Sequence, residues 1–102
     1  MVKRGEVYWV NLDPTIGTEI QKTRPALVVS PDDLNRALPR VIIAPLTIKG
    51  QALGCRPELV FQGRPARILL DQIRSVDKRR LAGKLGDIDH EIWHPVLLEM
   101  LA

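Results

Sequence analysis

Three polar clusters, each beside a strand-like apolar segment, contain the residue types that could carry out chemistry. Residues 13–19 lead into Arg24 and Pro25, Thr47 follows a second apolar run, and residues 71–75 form the third cluster. Pro25 fixes its own φ and restricts Arg24 to extended geometry, so the sequence predicts a guanidinium held at a strand entrance. Its forked, permanently charged donors suit either a carboxylate or a phosphate.

Asp71 interrupts an otherwise apolar run. A carboxylate inside a strand lowers stability unless a cation or hydrogen-bond donors meet it, so we expect Arg24 or Arg74 as its partner. Asp71 and Gln72 would equally fit a buried polar network that only stabilises the fold. Threonine is common in strands, so the residue type of Thr47 does not by itself indicate a catalytic role.

Other catalytic groups are scarce. His90 and His94 lie four residues apart, a spacing that places both on one face of a predicted helix, but Glu91 points elsewhere. Two ligands do not make a metal site, so a solvated helix face is predicted and no metal is expected. The single cysteine excludes a cysteine-based zinc site, and no phosphate-binding loop or serine-hydrolase motif occurs.

The charge is distributed unevenly along the 102 residues. All 15 Lys and Arg lie in residues 1–84 with 8 of the 12 acids, which gives this part +7, whereas residues 85–102 carry −4. A basic body favours a polyanionic partner, either a nucleic acid or an acidic protein segment, although a solvated surface is equally compatible. No apolar run could cross a bilayer and the start lacks a signal-peptide pattern, so a cytoplasmic protein is expected.

Short apolar runs separated by Pro, Gly and Asp predict a single domain, 1–102, that is mainly β with some α. The predicted strands are residues 6–12, 26–30, 41–46, 58–61 and 68–76, with one helical turn at 31–36. Five short strands indicate a small, curved sheet or barrel. A C-terminal amphipathic helix should begin at Asp89 as N-cap and start late or bend at Pro95.

The chain resembles the MazF/PemK family of toxin endoribonucleases, the mRNA interferases of bacterial toxin–antitoxin modules. The matching segments span nearly the whole chain; they are "KRGEVYWVNLDPTIGTE", "TRPALVVSP", "VIIAPLT" and "LLDQIRSVDKRRL". Each segment alone is weak, but the combination in this order is specific.

This resemblance implies a small SH3-like barrel of the PemK type with a C-terminal helix, acting as a cytoplasmic homodimer with no membrane association. The implied substrate is single-stranded RNA, cleaved at selected sequences without metal or other cofactor. The 2′-hydroxyl would attack the adjacent phosphate to leave a 2′,3′-cyclic phosphate and a 5′-hydroxyl. A cognate acidic antitoxin would neutralise the toxin.

The resemblance also implies residue roles. Arg24 and Thr47 occupy the positions on which family catalysis chiefly rests, and Asp71 occupies that of a general base in some relatives. Those relatives also use an arginine and a histidine, whereas this chain has Leu69 and Thr18 there. Asp71 is therefore expected to act as a base or as an orienting group.

The same resemblance gives four candidate RNA-binding residues: Glu19, Lys49, Gln72 and Arg74. Lys49 begins the segment "KGQALGCR", whose family counterpart borders the RNA groove. The segment has no aromatic residue, so base stacking there is not expected.

Two other classes of function stay open at this point. A related toxin fold occurs in CcdB-like DNA gyrase poisons, which do not cut RNA; the Arg-Pro pair and Thr47 argue against that function. A small-barrel binding module without catalysis is the second alternative, and it predicts that Arg24 and Thr47 are dispensable.

Overall fold

One antiparallel sheet of seven short strands organises the residues that the computed structural model describes, which are 1–12, 22–48 and 52–101. The elements are β1 (Glu6–Asn11), β2 (Thr23–Val28), α1 (Asp32–Ala37), β3 (Arg40–Thr47), β4 (Glu58–Phe61), β5 (Arg64–Ile68), β6 (Arg74–Asp77), β7 (Leu81–Asp87) and α2 (His90–Leu101), with 3₁₀ turns at Leu70–Gln72 and Lys78–Arg80.

The strand order is β4-β5-β3-β2-β1-β7, with β6 paired to β3 beside this path. β3 is the central strand, since its residues 43–45 pair with β2, 40–43 with β6 and 46–47 with β5. The sheet curls into a half-barrel. The prediction of a mainly β, curved fold with a C-terminal helix is therefore confirmed.

β2 is packed on both faces because successive side chains of a strand point to opposite sides. Leu27 belongs to one buried cluster, whereas Ala26 and Val28 belong to another. Trp93 and Leu97 of α2 close the cluster that contains Leu27. The strand that carries Arg24 is thus anchored from both sides.

The C-terminal helix begins where the sequence predicts. Asp89 caps it, since its Oδ1 accepts a hydrogen bond from the Glu91 N–H at 3.1 Å. The helix starts at His90 despite Pro95, which lies inside it, so the suggested late start is wrong. The buried Trp93 offsets the hydrogen bond that Pro95 cannot donate. In the described part of the chain, no helix is long and apolar enough to cross a membrane.

The prediction of one strand over residues 68–76 is wrong. β5 and β6 both pair with β3, but the register shifts by three residues between them. The turn Leu70–Gln72 takes up these residues, with the Gln72 N–H donating to the Leu69 carbonyl at 2.9 Å. Asp71 therefore lies in a turn, where a carboxylate reaches solvent, and not inside a strand.

The sequence analysis missed β7, whose residues are "LAGKLGD". Two glycines and no β-branched residue give this segment a low strand propensity. Its pairing with β1 holds it in the sheet, which shows tertiary context overriding local preference.

Candidate active site

A groove lies beside the end of the β2–β3 pairing. Their pairing ends at Ala26–Pro45. The Leu69 N–H donates to the Pro45 carbonyl at 2.8 Å, so the polar groups of Pro45 face β5 and those of its neighbour Leu46 face β2. Pro25 stands opposite Leu46 in the continued register and has no N–H to donate. The ladder therefore lacks one of its two possible hydrogen bonds at this position, and the pairing ends there.

The groove at this end of the two strands has a volume of about 430 Å³. Arg24 and Thr47 both line it, from β2 and β3 respectively. Each lies two residues beyond the last pair, Ala26–Pro45, so the continued register places them opposite each other on neighbouring strands. Both are half-buried. The described lining residues are Trp9, Thr23, Arg24, Pro25, Leu46, Thr47, Ile48, Phe61, Gln62, Arg64 and Ala66.

The charge of the groove is positive. Arg24 and the exposed Arg64 contribute guanidinium groups, and the described lining contains no acidic residue. Two cations near a hydroxyl group form a site for an anion with several oxygens, such as a phosphate diester.

A tight turn positions the far wall of the groove. Gln62 and Gly63 connect β4 to β5 with positive φ values of 52° and 78°, which is the geometry of a two-residue hairpin turn. Phe61 and Arg64 pair directly across this turn. The Gln62 side-chain amide donates to the Leu85 carbonyl of β7 at 3.0 Å, so the hairpin is tied to the opposite end of the sheet.

Nearly the whole chain matches the model of one protein family. The model of the family described as PemK-like, MazF-like toxin of type II toxin–antitoxin systems matches residues 3–100. The chain belongs to this toxin family.

Known PemK-like toxins resemble the chain in both sequence and structure. Endoribonuclease EndoA of Bacillus subtilis is 36% identical over 102 residues, covering 94% of this chain and 88% of EndoA. The crystal structure of MazF from Deinococcus radiodurans is 28% identical with a TM-score of 0.85, covering 98% and 96% of the two chains. A mycobacterial endoribonuclease in complex with its cognate antitoxin has the same fold, at 21% identity, a TM-score of 0.82 and 99% and 95% coverage.

In this PemK-like toxin, the third polar cluster does not contribute to the described lining of the groove. Asp71 accepts hydrogen bonds from Arg56, from Nε at 3.0 Å and from Nη2 at 2.9 Å. The prediction that Arg24 or Arg74 is its partner is therefore wrong. Arg56 was overlooked because it lies 15 residues earlier in a segment without regular structure.

Two arginines anchor the end of β1. The Arg74 guanidinium donates to the Leu12 carbonyl at 3.1 Å, and that of Arg80 donates to the Asn11 carbonyl at 3.2 Å. Gln72 is half-buried beside Asp71. The candidates Glu19 and Lys49 lie outside the described residues.

The toxin's two histidines lie together on α2, as their spacing predicts. Their rings stack with centroids 4.0 Å apart. Burial, followed by the charge of His90, lowers the pKa of His94. Residues 1–12, 22–48 and 52–101 contain no group of three or more His, Cys, Asp or Glu that could hold a metal ion.

Several groove residues were not singled out from the sequence: Trp9, Phe61, Gln62 and Arg64. The signal for Trp9 was a large aromatic residue at an outward position of an alternating strand. The turn pair Gln62-Gly63 signals a hairpin, which would have placed Phe61 and Arg64 side by side.

The ion pair between Asp71 and Arg56 gives a pH-dependent contribution to stability. The Arg56 guanidinium lowers the pKa of Asp71 below its usual 3.8, although partial burial acts in the opposite direction. Because this pKa is lower in the folded state, the pair stabilises the fold at neutral pH and is lost as the pH falls through the folded value. We expect Asp71→Asn to lower the free energy of unfolding at pH 7 by about 0.2–1 kcal/mol.

Urea unfolding at pH 7 and below pH 3.8 measures this effect, and the difference between wild type and variant should shrink at the lower pH. Glu58→Gln is a suitable control because Glu58 meets Arg67 through a more exposed pair. Equal stability of Asp71→Asn and wild type at pH 7 would contradict the assignment.

Proposed function

We propose that this toxin is an endoribonuclease that cleaves single-stranded RNA at selected sequences, without a metal ion, by attack of a 2′-hydroxyl on the adjacent phosphate. Family membership and the 36% identity to EndoA support the endoribonuclease activity. The observation that carries the chemistry is the presence of Arg24 and Thr47 in one positive groove.

The proposed reaction needs no nucleophile from the protein. The 2′-oxygen bonds to phosphorus while the bond from phosphorus to the 5′-oxygen breaks. The 2′-hydroxyl loses its proton and the leaving 5′-oxygen gains one, which gives a 2′,3′-cyclic phosphate and a 5′-hydroxyl. The protein therefore supplies orientation and stabilisation of the negative charge that develops on the phosphate oxygens.

Arg24 is suited to the phosphate because its forked donors match two oxygens at once. Its neighbour Pro25 and the two buried clusters around β2 hold it in place. Thr47, with a single rotatable hydroxyl, would donate to the same phosphate or orient the 2′-hydroxyl. Both residues would thus act on the reacting atoms.

We assign Asp71 an orienting role in preference to that of general base. A base that works at neutral pH needs a pKa near 7, whereas the Arg56 guanidinium holds the pKa of Asp71 below its usual value. By bonding to Arg56, Asp71 restrains the irregular segment that precedes β4. Its effect on RNA would be transmitted through that segment.

The RNA-binding roles of Glu19, Lys49, Gln72 and Arg74 belong to the same proposal. Arg74 would act by fixing Leu12, the residue from which the chain continues toward Glu19. Unstacked bases expose edges that such polar side chains can bond, and the 2′-hydroxyl distinguishes RNA from DNA.

The proposed partners are a cognate acidic antitoxin and a second copy of the chain, in the cytoplasm. A mycobacterial relative of the same fold is in complex with its antitoxin. Basic residues along β6, the second 3₁₀ turn and β7 form a candidate binding surface for an acidic segment of the antitoxin. They are Arg74, Lys78, Arg79, Arg80 and Lys84. Leu98 and Leu101 of α2 are 56% and 68% exposed and provide apolar area for a homodimer.

The test is incubation of the toxin with single-stranded RNA in excess chelator, followed by analysis of the new ends. We expect 2′,3′-cyclic phosphates and 5′-hydroxyls, and no cleavage where the nucleotide before the cut carries a 2′-deoxyribose. Cleavage of that deoxy substrate would refute the 2′-hydroxyl mechanism. Inhibition of gyrase while the RNA stays intact would support the gyrase poison. Binding of RNA without cleavage would support the non-catalytic binding module.

A further inference from the structure

Trp9 is the exposed member of the four aromatic residues of this chain. Its side chain is 40% exposed on the wall of the groove, whereas Trp93 is fully buried. Tyr8 and Phe61 are half-buried. The Tyr8 hydroxyl donates a hydrogen bond to the Glu6 carboxylate, and the Phe61 ring packs against Gly86. A flat aromatic surface is therefore accessible to a ligand in the groove at Trp9.

The pairing beside Trp9 is irregular on one side of β1. The pairing of β1 with β7 shifts register on both sides of Tyr8, so Trp9 falls between the pairs Tyr8–Lys84 and Val10–Leu81 without a partner of its own on β7. The extra residues of these irregularities lie on β7, whereas β1 keeps an unbroken register with β2 from Val7 to Asn11, so Trp9 keeps its regular orientation on its strand. Its neighbour Val10, on the opposite face, is fully buried, while Trp9 lies on the groove.

Trp9 is also close to the proposed phosphate ligand. Trp9 and Arg24 line the same groove, although alternation starts their side chains on opposite faces of the sheet, because Trp9 pairs with Pro25 and Pro25 directly follows Arg24. Paired residues of neighbouring strands carry side chains within about 5.5 Å of each other, and the rigid Pro25 ring limits how far the indole can move. A phosphate held by Arg24 would leave its attached nucleoside within reach of the indole.

We propose that the indole of Trp9 is a stacking platform for the nucleobase next to the phosphate held by Arg24. The inference rests on the proposed ribonuclease function and adds a source of affinity to it. Every base has a π-face, so stacking strengthens binding with little preference for sequence. Selectivity among sequences would then depend on polar groups elsewhere in the site.

The first test measures binding to an RNA that carries a 2′-deoxyribose before the cleaved bond. We expect Trp9→Ala to weaken binding by about 5- to 100-fold and Trp9→Phe by less, because phenylalanine keeps a stacking face. With cleavable RNA, KM should rise while kcat changes little. Leu38→Ala, at a residue 41% exposed and outside the groove, is the matched control and should bind like wild type.

The second test locates the stacked base. Abasic nucleotides are placed one at a time around the cleaved bond, and each RNA is bound to wild type and to Trp9→Phe and Trp9→Ala. At one position the missing base should weaken wild-type binding strongly, Trp9→Phe binding less and Trp9→Ala binding hardly at all. Equal losses for all three proteins at every position would overturn the inference.

Fluorescence gives an independent readout with the unmodified protein. Iodide should quench Trp9 and not the buried Trp93, so RNA that stacks on Trp9 should reduce the quenchable fraction. Unchanged quenching at saturating RNA would overturn the stacking role. If wild type cleaves RNA but replacement of Trp9 does not change RNA binding, only this inference fails. If wild type neither binds nor cleaves RNA, the proposed function fails as well.

Discussion

Replacing Arg24 with alanine is expected to lower the rate of RNA cleavage by about 100- to 1,000-fold. The guanidinium lines the groove opposite Thr47 and is held by a strand that is buried on both faces. The backbone that carries it is therefore fixed before the substrate arrives, and preorganised charged donors lower a barrier most. Single-turnover cleavage at fixed ionic strength measures the chemical step.

Arg24→Lys should fail nearly as completely, since a point charge cannot make two parallel hydrogen bonds to a phosphate. This variant separates fork geometry from charge. Arg36→Ala is the control, because it removes one exposed cation of α1, outside the groove lining. Activity of Arg24→Lys close to wild type would mean that charge alone suffices, and near-wild-type activity of Arg24→Ala would contradict the mechanism.

Thr47→Val is expected to lower the cleavage rate by a similar factor, about 100-fold or more. Valine keeps the branched shape that suits the end of β3 and removes only the hydroxyl. Thr47→Ser should retain most of the activity because it keeps the hydroxyl. The comparison of rates among these three side chains therefore isolates one hydrogen bond.

Ser75→Ala is the control for Thr47, since it removes an exposed hydroxyl of β6 that is not part of the described groove lining. Circular dichroism should show that all four proteins are folded alike. Full activity of Thr47→Val would mean that Thr47 only contributes to the strand, as threonine commonly does, and has no role in catalysis.

The sequence predicted the parts of the site that depend on local chemistry. Pro25 predicts an extended, restrained Arg24, and the apolar runs of β2 and β3 are evident in the sequence. Two strand ends, one with an arginine and the other with a threonine, could therefore be expected. Family resemblance placed these two residues at one site, and the structure places them in one groove.

The sequence could not reveal features that depend on distant pairing. The Asp71–Arg56 contact joins two irregular segments, and no periodic pattern connects them. The three-residue shift between β5 and β6 depends on how both strands meet β3, so the apolar run around Asp71 looked like one strand. Trp9 lies beside an irregular pairing with β7, a strand whose glycines give it little strand signal in the sequence.

The two prolines at the end of the β2–β3 ladder have a consequence for how this fold diversifies. Neither proline carries an N–H, so the ladder has fewer hydrogen bonds at the end that bears Arg24 and Thr47 than a regular ladder would have. Side chains around the groove can vary while the two prolines keep the path of the backbone, so new contacts to a substrate can evolve on an unchanged main chain.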